Sequence, residues 1–147
     1  MLTPLMPDFV SANFNMFQPY VKTATNGSGG NDLAVLREIQ SGKIQLWAIG
    51  VQKSEKESVA LGVVATSFVI DHLTGDRNLL VNALHKANES VELSDDVWLD
   101  GILHLKMYAL QQGCKKIVAF SDNPRVVEMF ERFGGSAKVR FLQMEVV

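Results

Sequence analysis

A single cysteine, no marked excess of either charge and no long apolar run make this 147-residue chain poor in the features that announce a specialised class. Cys114 has no second cysteine to pair with, which excludes an intrachain disulfide and a cysteine zinc site and suggests a reducing compartment. It follows Gly113 and precedes an apolar run, a setting that suits a small buried hydrophobe better than a nucleophile. Fourteen basic residues stand against sixteen acidic ones, a net charge of -2, and no block of like charge exceeds Lys115-Lys116 or Asp95-Asp96. A protein that neutralises phosphates needs a basic excess or stripe, so nucleic acid is not an expected partner.

The most apolar segment, Val59 to Ile70, contains Thr66 and Ser67 and falls short of the roughly 20 residues a bilayer span requires. Met1 to Asp8 has no basic residue ahead of an apolar stretch, unlike a secretory signal. The expectation is a soluble, cytoplasmic protein that contacts neither membrane nor nucleic acid. Glycine-rich phosphate motifs are also missing, because Gly27-Ser-Gly-Gly30 lacks the preceding strand that such a motif requires.

What is present is ordinary globular material. Apolar residues make up 47% and charged residues 20%, which excludes disorder and fibrous folds. A chain of this length buries roughly 70% of its unfolded surface and needs no metal or disulfide to fold. One domain over residues 1–147 is expected, with 1–31 forming an N-terminal helix and a mobile loop.

Asp8 is placed to cap a helix carrying Val10, Phe14 and Phe17, which Pro19 would end. The Gly/Ser/Thr-rich stretch Lys22 to Asn31 reads as a loop, either a lid or slack. Asn31 and Asp32 cap a second helix with Leu33, Leu36 and Ile39 inward and Gly42 as its stop. Ile44–Gln52 and Ser58–Ile70 form a hairpin across Lys53–Glu57, and Asn78–Leu84 adds a third antiparallel strand.

Beyond the polar segment Asn88–Asp96, a long helix places Trp98, Ile102, Leu105 and Ala109 on one face and ends at Gly113. The strand Lys116–Phe120 follows, then a helix Pro124–Phe133 that should bury Val127 and Phe130, then a last strand Val139–Val147. Strands joined through helices require crossovers, so the sheet must mix parallel with antiparallel pairing in an α+β fold of five to seven strands and about four helices.

The stretch Asn123-Pro-Arg-Val-Val-Glu-Met-Phe-Glu-Arg-Phe-Gly-Gly135 resembles the last helix of the GNAT N-acetyltransferase superfamily, and Gly113-Cys-Lys-Lys-Ile-Val-Ala-Phe120 is similar to the end of its central helix and its fifth strand. Leu33 to Ile49, with Gln45-Leu46-Trp47, looks like the opening of compact GNAT-like proteins encoded by bacteriophages.

The resemblance implies transfer of an acetyl group from acetyl-CoA to an amine of a small molecule or protein. The fourth strand splays from the fifth to free main-chain groups for pantetheine, and the loop before the central helix cradles the pyrophosphate at a helix N-terminus. Carried onto this chain, the cofactor residues are the main chain of Leu84 and His85, Asp96 and Val97 at the start of the long helix, and Asn123. The same likeness leaves a cytoplasmic enzyme beside a non-catalytic phage-derived protein of the host cytoplasm or virion, working through a protein partner or as a homo-oligomer.

Two places depart from the family pattern. Lys86 to Asp96 contains no glycine, although close approach of backbone to two phosphates favours one, and it carries four acids. Those acids either oppose a pyrophosphate or match the dipole of the helix they begin. Phe130 stands where catalytic members often carry a tyrosine that protonates the leaving thiolate; phenylalanine keeps the ring for packing and deletes the donor, a loss typically worth about 10²–10⁴ in rate.

A general base is sought in His85, with His72, Asp71 and Glu92 as neighbours, although a histidine at a strand end also reads as a surface residue. Asn123 reads either as a cofactor contact or as the cap ahead of Pro124. Trp47 and Trp98 read as core, or as an aromatic binding wall. His104 has no partner at helical spacing, so no metal site is expected.

Overall fold

The computed structural model describes residues 1–24, 32–88, 90–121, 123–137, 142 and 144–146, without the side chains of residues 20–24 and 32. Among the described residues, five helices and five strands follow one another as β1 (Leu2–Pro4), α1 (Pro7–Ala12), α2 (Phe14–Ala24), α3 (Asp32–Gln40), β2 (Ile44–Ser54), β3 (Glu57–Ile70), β4 (Arg77–Lys86), α4 (Asp95–Gln111), β5 (Lys116–Ala119) and α5 (Pro124–Arg132).

The strands lie in the order β1-β2-β3-β4-β5, with antiparallel pairing from β1 to β4 and parallel pairing between β4 and β5. This is the mixed α+β sheet the sequence implies. Its first strand was not foreseen: three residues ending in Pro4 give almost no periodic signal, and proline is tolerated there because β1 is an edge.

β3 reads as a continuous apolar run because both faces of the sheet are covered. Trp47, Ile49, Val64 and Leu79 pack with Leu105 and Ala109 of α4, whereas Leu46, Val63 and Ala65 pack with Val10, Phe17 and Ile39 of α1–α3. Adjacent residues of one strand thus enter opposite cores, as the two-residue period of a strand requires. Trp47 donates its indole Nε1–H to Thr66 Oγ1 at 2.9 Å within the core.

Several local expectations need correction. Met6, not Asp8, occupies the N-cap position of α1, where it makes no side-chain cap hydrogen bond, and Pro7 takes the first helical position. The break in the N-terminal helix comes at Asn13, whose side-chain amide donates to Phe9 O at 2.8 Å, and Pro19 lies inside α2. Buried Phe17 anchors α2 in the core, which offsets the donor that proline forgoes. Leu33 is 54% exposed, because the inward arc of α3 begins at Val35 and peaks at Ile39. In α5 the fully buried residue is Met129, while Val127 and Phe130 are half-buried beside it.

Residues 25–31 of the expected lid lie outside the described residues, and residues 22–24 belong to α2. Most of the expected strand Val139–Val147 also lies outside them; the described Leu142 and Met144–Val146 are in no strand.

Candidate functional site

The site originates in one irregularity of β4. Thr66 faces Val81 and Ala65 faces Ala83, so Asn82 is an extra residue opposite β3, a β-bulge. Parallel pairing with β5 runs Asn78↔Lys116, Leu79↔Ile117, Leu80↔Val118 and Val81↔Ala119, and stops at the same point. A bulge bends its strand and increases the local twist, so β4 leaves β5 there and continues to Lys86.

The bulge also resets the alternation of side chains. Leu79 and Val81 pack in the α4 core, as does Leu84, whereas Ala83 packs against α1–α3. Without the extra residue, Leu84 would face the other layer.

The divergence opens a cleft of about 570 Å³. One wall is β4 from Val81 to Lys86, the other is Ala119, Phe120 and Ser121 with the start of α5, and Trp98, Leu93 and Glu92 close one side. From the last pair onward, β4 residues Val81–Lys86 line this cleft, an elongated surface suited to an extended ligand.

His85 and Leu84 both line the cleft, as does Asn123. Asn123 caps α5, its Oδ1 accepting from Arg125 N–H at 2.9 Å, which leaves its Nδ2 donors as the groups a ligand could use. The structure thus shows the capping role and places the residue at the cleft. Trp98, read from the sequence as either core or binding wall, is half-buried and does both: it packs against the α4 core and lines the cleft.

Asp96 and Val97 do not line the cleft. Val97 N–H is taken by the capping Ser94 Oγ at 3.3 Å and its side chain packs into the α4 core, while Asp96 is exposed on the first turn. Phe130 is likewise absent from the cleft lining; its carbonyl accepts from Gly135 N–H at 2.7 Å and its ring lies near Gly135. It does not plug the opening.

Among the candidate bases, His85 and Glu92 meet at the cleft, and the other two do not. Asp71 and His72 sit in the β3–β4 turn, at the far end of a ten-residue strand from His85. Main-chain N–H groups of Leu73 (2.9 Å) and Thr74 (3.4 Å) hold the Asp71 carboxylate and lower its pKa, so it serves the turn. His104 is exposed on α4, and among the described residues no group of three or more His, Cys, Asp or Glu is placed to hold a metal.

The mouth of the cleft beside α4 carries a charge cluster that the sequence did not disclose. Asp95 accepts from Arg125 Nη2 at 2.8 Å and from Arg132 Nη1 at 2.6 Å, tying the first turn of α4 to α5. The two guanidinium groups hold the Asp95 carboxyl below its usual range, and the Asp95 contact raises Arg125. Arg125 itself lines the cleft.

Two further groups lie outside the site. Tyr108 packs edge-on against Trp47 at 4.8 Å, and burial raises its phenol pKa. Burial also raises the Cys114 thiol, the opposite of what a nucleophile needs.

No family model matches the chain, and no curated protein matches it. Solved structures do. An aminoglycoside acetyltransferase from an uncultured soil metagenomic sample superposes with a TM-score of 0.69 at 15% identity, covering 100% of this chain and 98% of that one. A Trypanosoma brucei acetyltransferase gives 0.62 at 13% identity over 99% of both chains. A ribosomal-protein-alanine N-acetyltransferase from Brucella melitensis biovar Abortus 2308 gives 0.60 at 13% identity, again over 99% of both chains. The chain has the fold of the GNAT acetyltransferases. No described helix is long and apolar enough to cross a membrane.

Proposed function

We propose that the chain binds an acyl-CoA thioester, acetyl-CoA in the simplest case, in the β4/β5 cleft and serves as an N-acyltransferase. The observation that carries this reading is the end of β4–β5 pairing at Val81↔Ala119 beside the Asn82 bulge, where β4 lines an open cleft.

The residues present fit one half of such a donor. The main chain of Asn82–Lys86 would hold the pantetheine arm, with Asn123 opposite and Trp98 and Leu84 shielding it from water. When bound, the thioester supplies an activated acyl carbonyl. His85 and Glu92 are the cleft groups able to take a proton from an amine acceptor, small-molecule or protein. Among the described residues the cleft lining contains no tyrosine to protonate a departing thiolate, so turnover is expected to be slow.

The pyrophosphate half fits poorly. Ser94 already caps α4, Asp95 and Asp96 place two carboxylates on its first turn, and Asp95 engages the neighbouring arginines. This arrangement favours a second reading, a non-catalytic GNAT-fold protein acting through a protein partner, of phage origin and virion-associated in the form the sequence resemblance suggests.

Calorimetry with acetyl-CoA and with acetyl-pantetheine separates the two. The first reading predicts heat from both, with little affinity gained from the phosphates. Absence of heat from both at about millimolar concentration, an interaction weaker than roughly 4 kcal/mol, refutes it in favour of the second.

A further inference from the structure

The two helices that begin at the mouth of the cleft carry opposite charge at their N-termini. The first turn of α4 holds Asp95 and Asp96, whereas the first turn of α5 holds no acid and carries Arg125. A helix N-terminus is the positive end of the helix dipole, so α4 has that end neutralised by its own carboxylates and α5 has it reinforced by a guanidinium. Arg132 follows about two helical turns after Arg125 and so shares its face of α5.

Both guanidinium groups converge on one carboxylate. Arg125 Nη2 donates to Asp95 Oδ1 at 2.8 Å and Arg132 Nη1 donates to Asp95 Oδ2 at 2.6 Å, one oxygen to each arginine. Two arginines clasp an oxyanion in this way, and a phosphate offers the same fork more charge and more acceptor oxygens than a carboxylate does. Asp95 is an exchangeable occupant. The side chains of Arg125, Asp95 and Arg132 are 42%, 48% and 52% exposed, so their ion pairs are of the weak, solvent-screened kind. The other contact of Arg125, to Glu128 Oε2 on its own helix, is longer at 3.5 Å. Arg125 lines the cleft and Asp95 does not, so a ligand in the cleft has direct access to the guanidinium.

We propose that Arg125 and Arg132 form an oxyanion site for a phosphate group of the cleft's ligand, and that Asp95 is a tethered competitor which the phosphate must displace. Tethering holds the competitor at high local concentration, so the arginines stay paired while the cleft is empty and the wild type binds phosphate weakly. Assigning the phosphate to an acyl-CoA rests on the thioester reading above; the oxyanion site and its competitor do not.

Calorimetry of the full chain with inorganic pyrophosphate, which carries no thioester, tests the site by itself. Asp95→Asn is expected to tighten pyrophosphate by about fivefold or more, roughly what release of one exposed ion pair yields. Asp96→Asn removes a carboxylate from the same helical turn and keeps Asp95 on the arginines, so it should change the affinity by less than about twofold. Adding Arg125→Gln and Arg132→Gln to Asp95→Asn should abolish the gain. Should that triple variant fail to fold, the side-chain Nε–H resonances of Arg125 and Arg132 in Asp95→Asn serve instead, and both should shift as pyrophosphate is added. No gain from Asp95→Asn, an equal gain from Asp96→Asn, a gain that survives loss of both arginines, or unmoved Nε–H resonances each overturns the proposal. The same variants titrated with acetyl-CoA separate it from the thioester reading. A pyrophosphate gain with no acetyl-CoA binding by any variant refutes acyl-CoA as the ligand and leaves the oxyanion site standing, whereas acetyl-CoA that binds the wild type and Asp95→Asn alike overturns the proposal.

Discussion

Ser67 on β3 donates its hydroxyl to Asn82 Oδ1 on β4 at 2.8 Å, holding the side chain of the one residue at which the strand pairing shifts. The cleft thus depends on a bulge, and the bulge is secured from the strand behind it. Ser67→Ala removes the donor and leaves a part-buried amide oxygen unpaired, with an expected loss of about 1 kcal/mol in denaturant unfolding. The same variant should raise the dissociation constant for acetyl-CoA, since the wall it loosens is the one proposed to hold the donor. An unchanged stability would mean that Asn82 finds another donor at no cost.

Thr66 lies opposite Val81, the last β4 residue paired with β5, and its side chain is fully buried. Thr66→Val keeps the shape but strands the Trp47 indole N–H, which is expected to cost about 1–3 kcal/mol. The effect should appear in thermal unfolding and leave ligand affinity unaltered, because the bond lies under the sheet and not in the cleft.

Gly62 sits where β3 passes the end of β4. A Cβ there would collide with the His85 carbonyl oxygen and lie 3.2 Å from Lys86 Cα. Gly62→Ala must push the terminal residues of β4 aside, at an expected cost of about 1–3 kcal/mol. Unlike Thr66→Val, it should also weaken donor binding, and a variant with full affinity would show that His85 and Lys86 are not part of the wall that matters.

Asp95 links α4 to α5 through two arginines, and these contacts lower its pKa in the folded state. A depressed carboxylate pKa stabilises the fold above the unfolded value of about 3.9 and loses that contribution as the pH falls through the folded value. Asp95→Asn should therefore melt below the wild type at neutral pH, with the gap closing below about pH 4 and narrowing with added salt. On the proposed donor reading it should also tighten acetyl-CoA several-fold without changing acetyl-pantetheine, because the removed carboxylate would face only the phosphate end.

The strands that build the cleft walls were legible because their burial writes periodic patterns: the β2–β3 hairpin, the third antiparallel strand and the parallel partner all appear where apolar runs and turn residues place them. The cleft itself was legible only through resemblance, since a bulge adds one residue without altering composition. Asn82 offered the sole hint, a poor strand former amid Leu79, Leu80, Val81 and Leu84. Arg125 and Arg132 are distant from Asp95 in sequence, so no local spacing announces their ion pairs. The Asp96 and Val97 assignments assumed an open helix N-terminus, whereas Ser94 Oγ accepts from Val97 N–H and neither residue lines the cleft.

Amide resonances of Asn82 to Lys86 give the most direct view of the cleft, recorded by heteronuclear NMR as acetyl-CoA is titrated in. A thioester arm lying along β4 beyond its last pair with β5 shifts these amides together with Asn123, and leaves those of the Asp71–Asp76 turn in place. Shifts confined to surface residues elsewhere, or none at about millimolar ligand, would show that the divergence of β4 from β5 does not make a donor site.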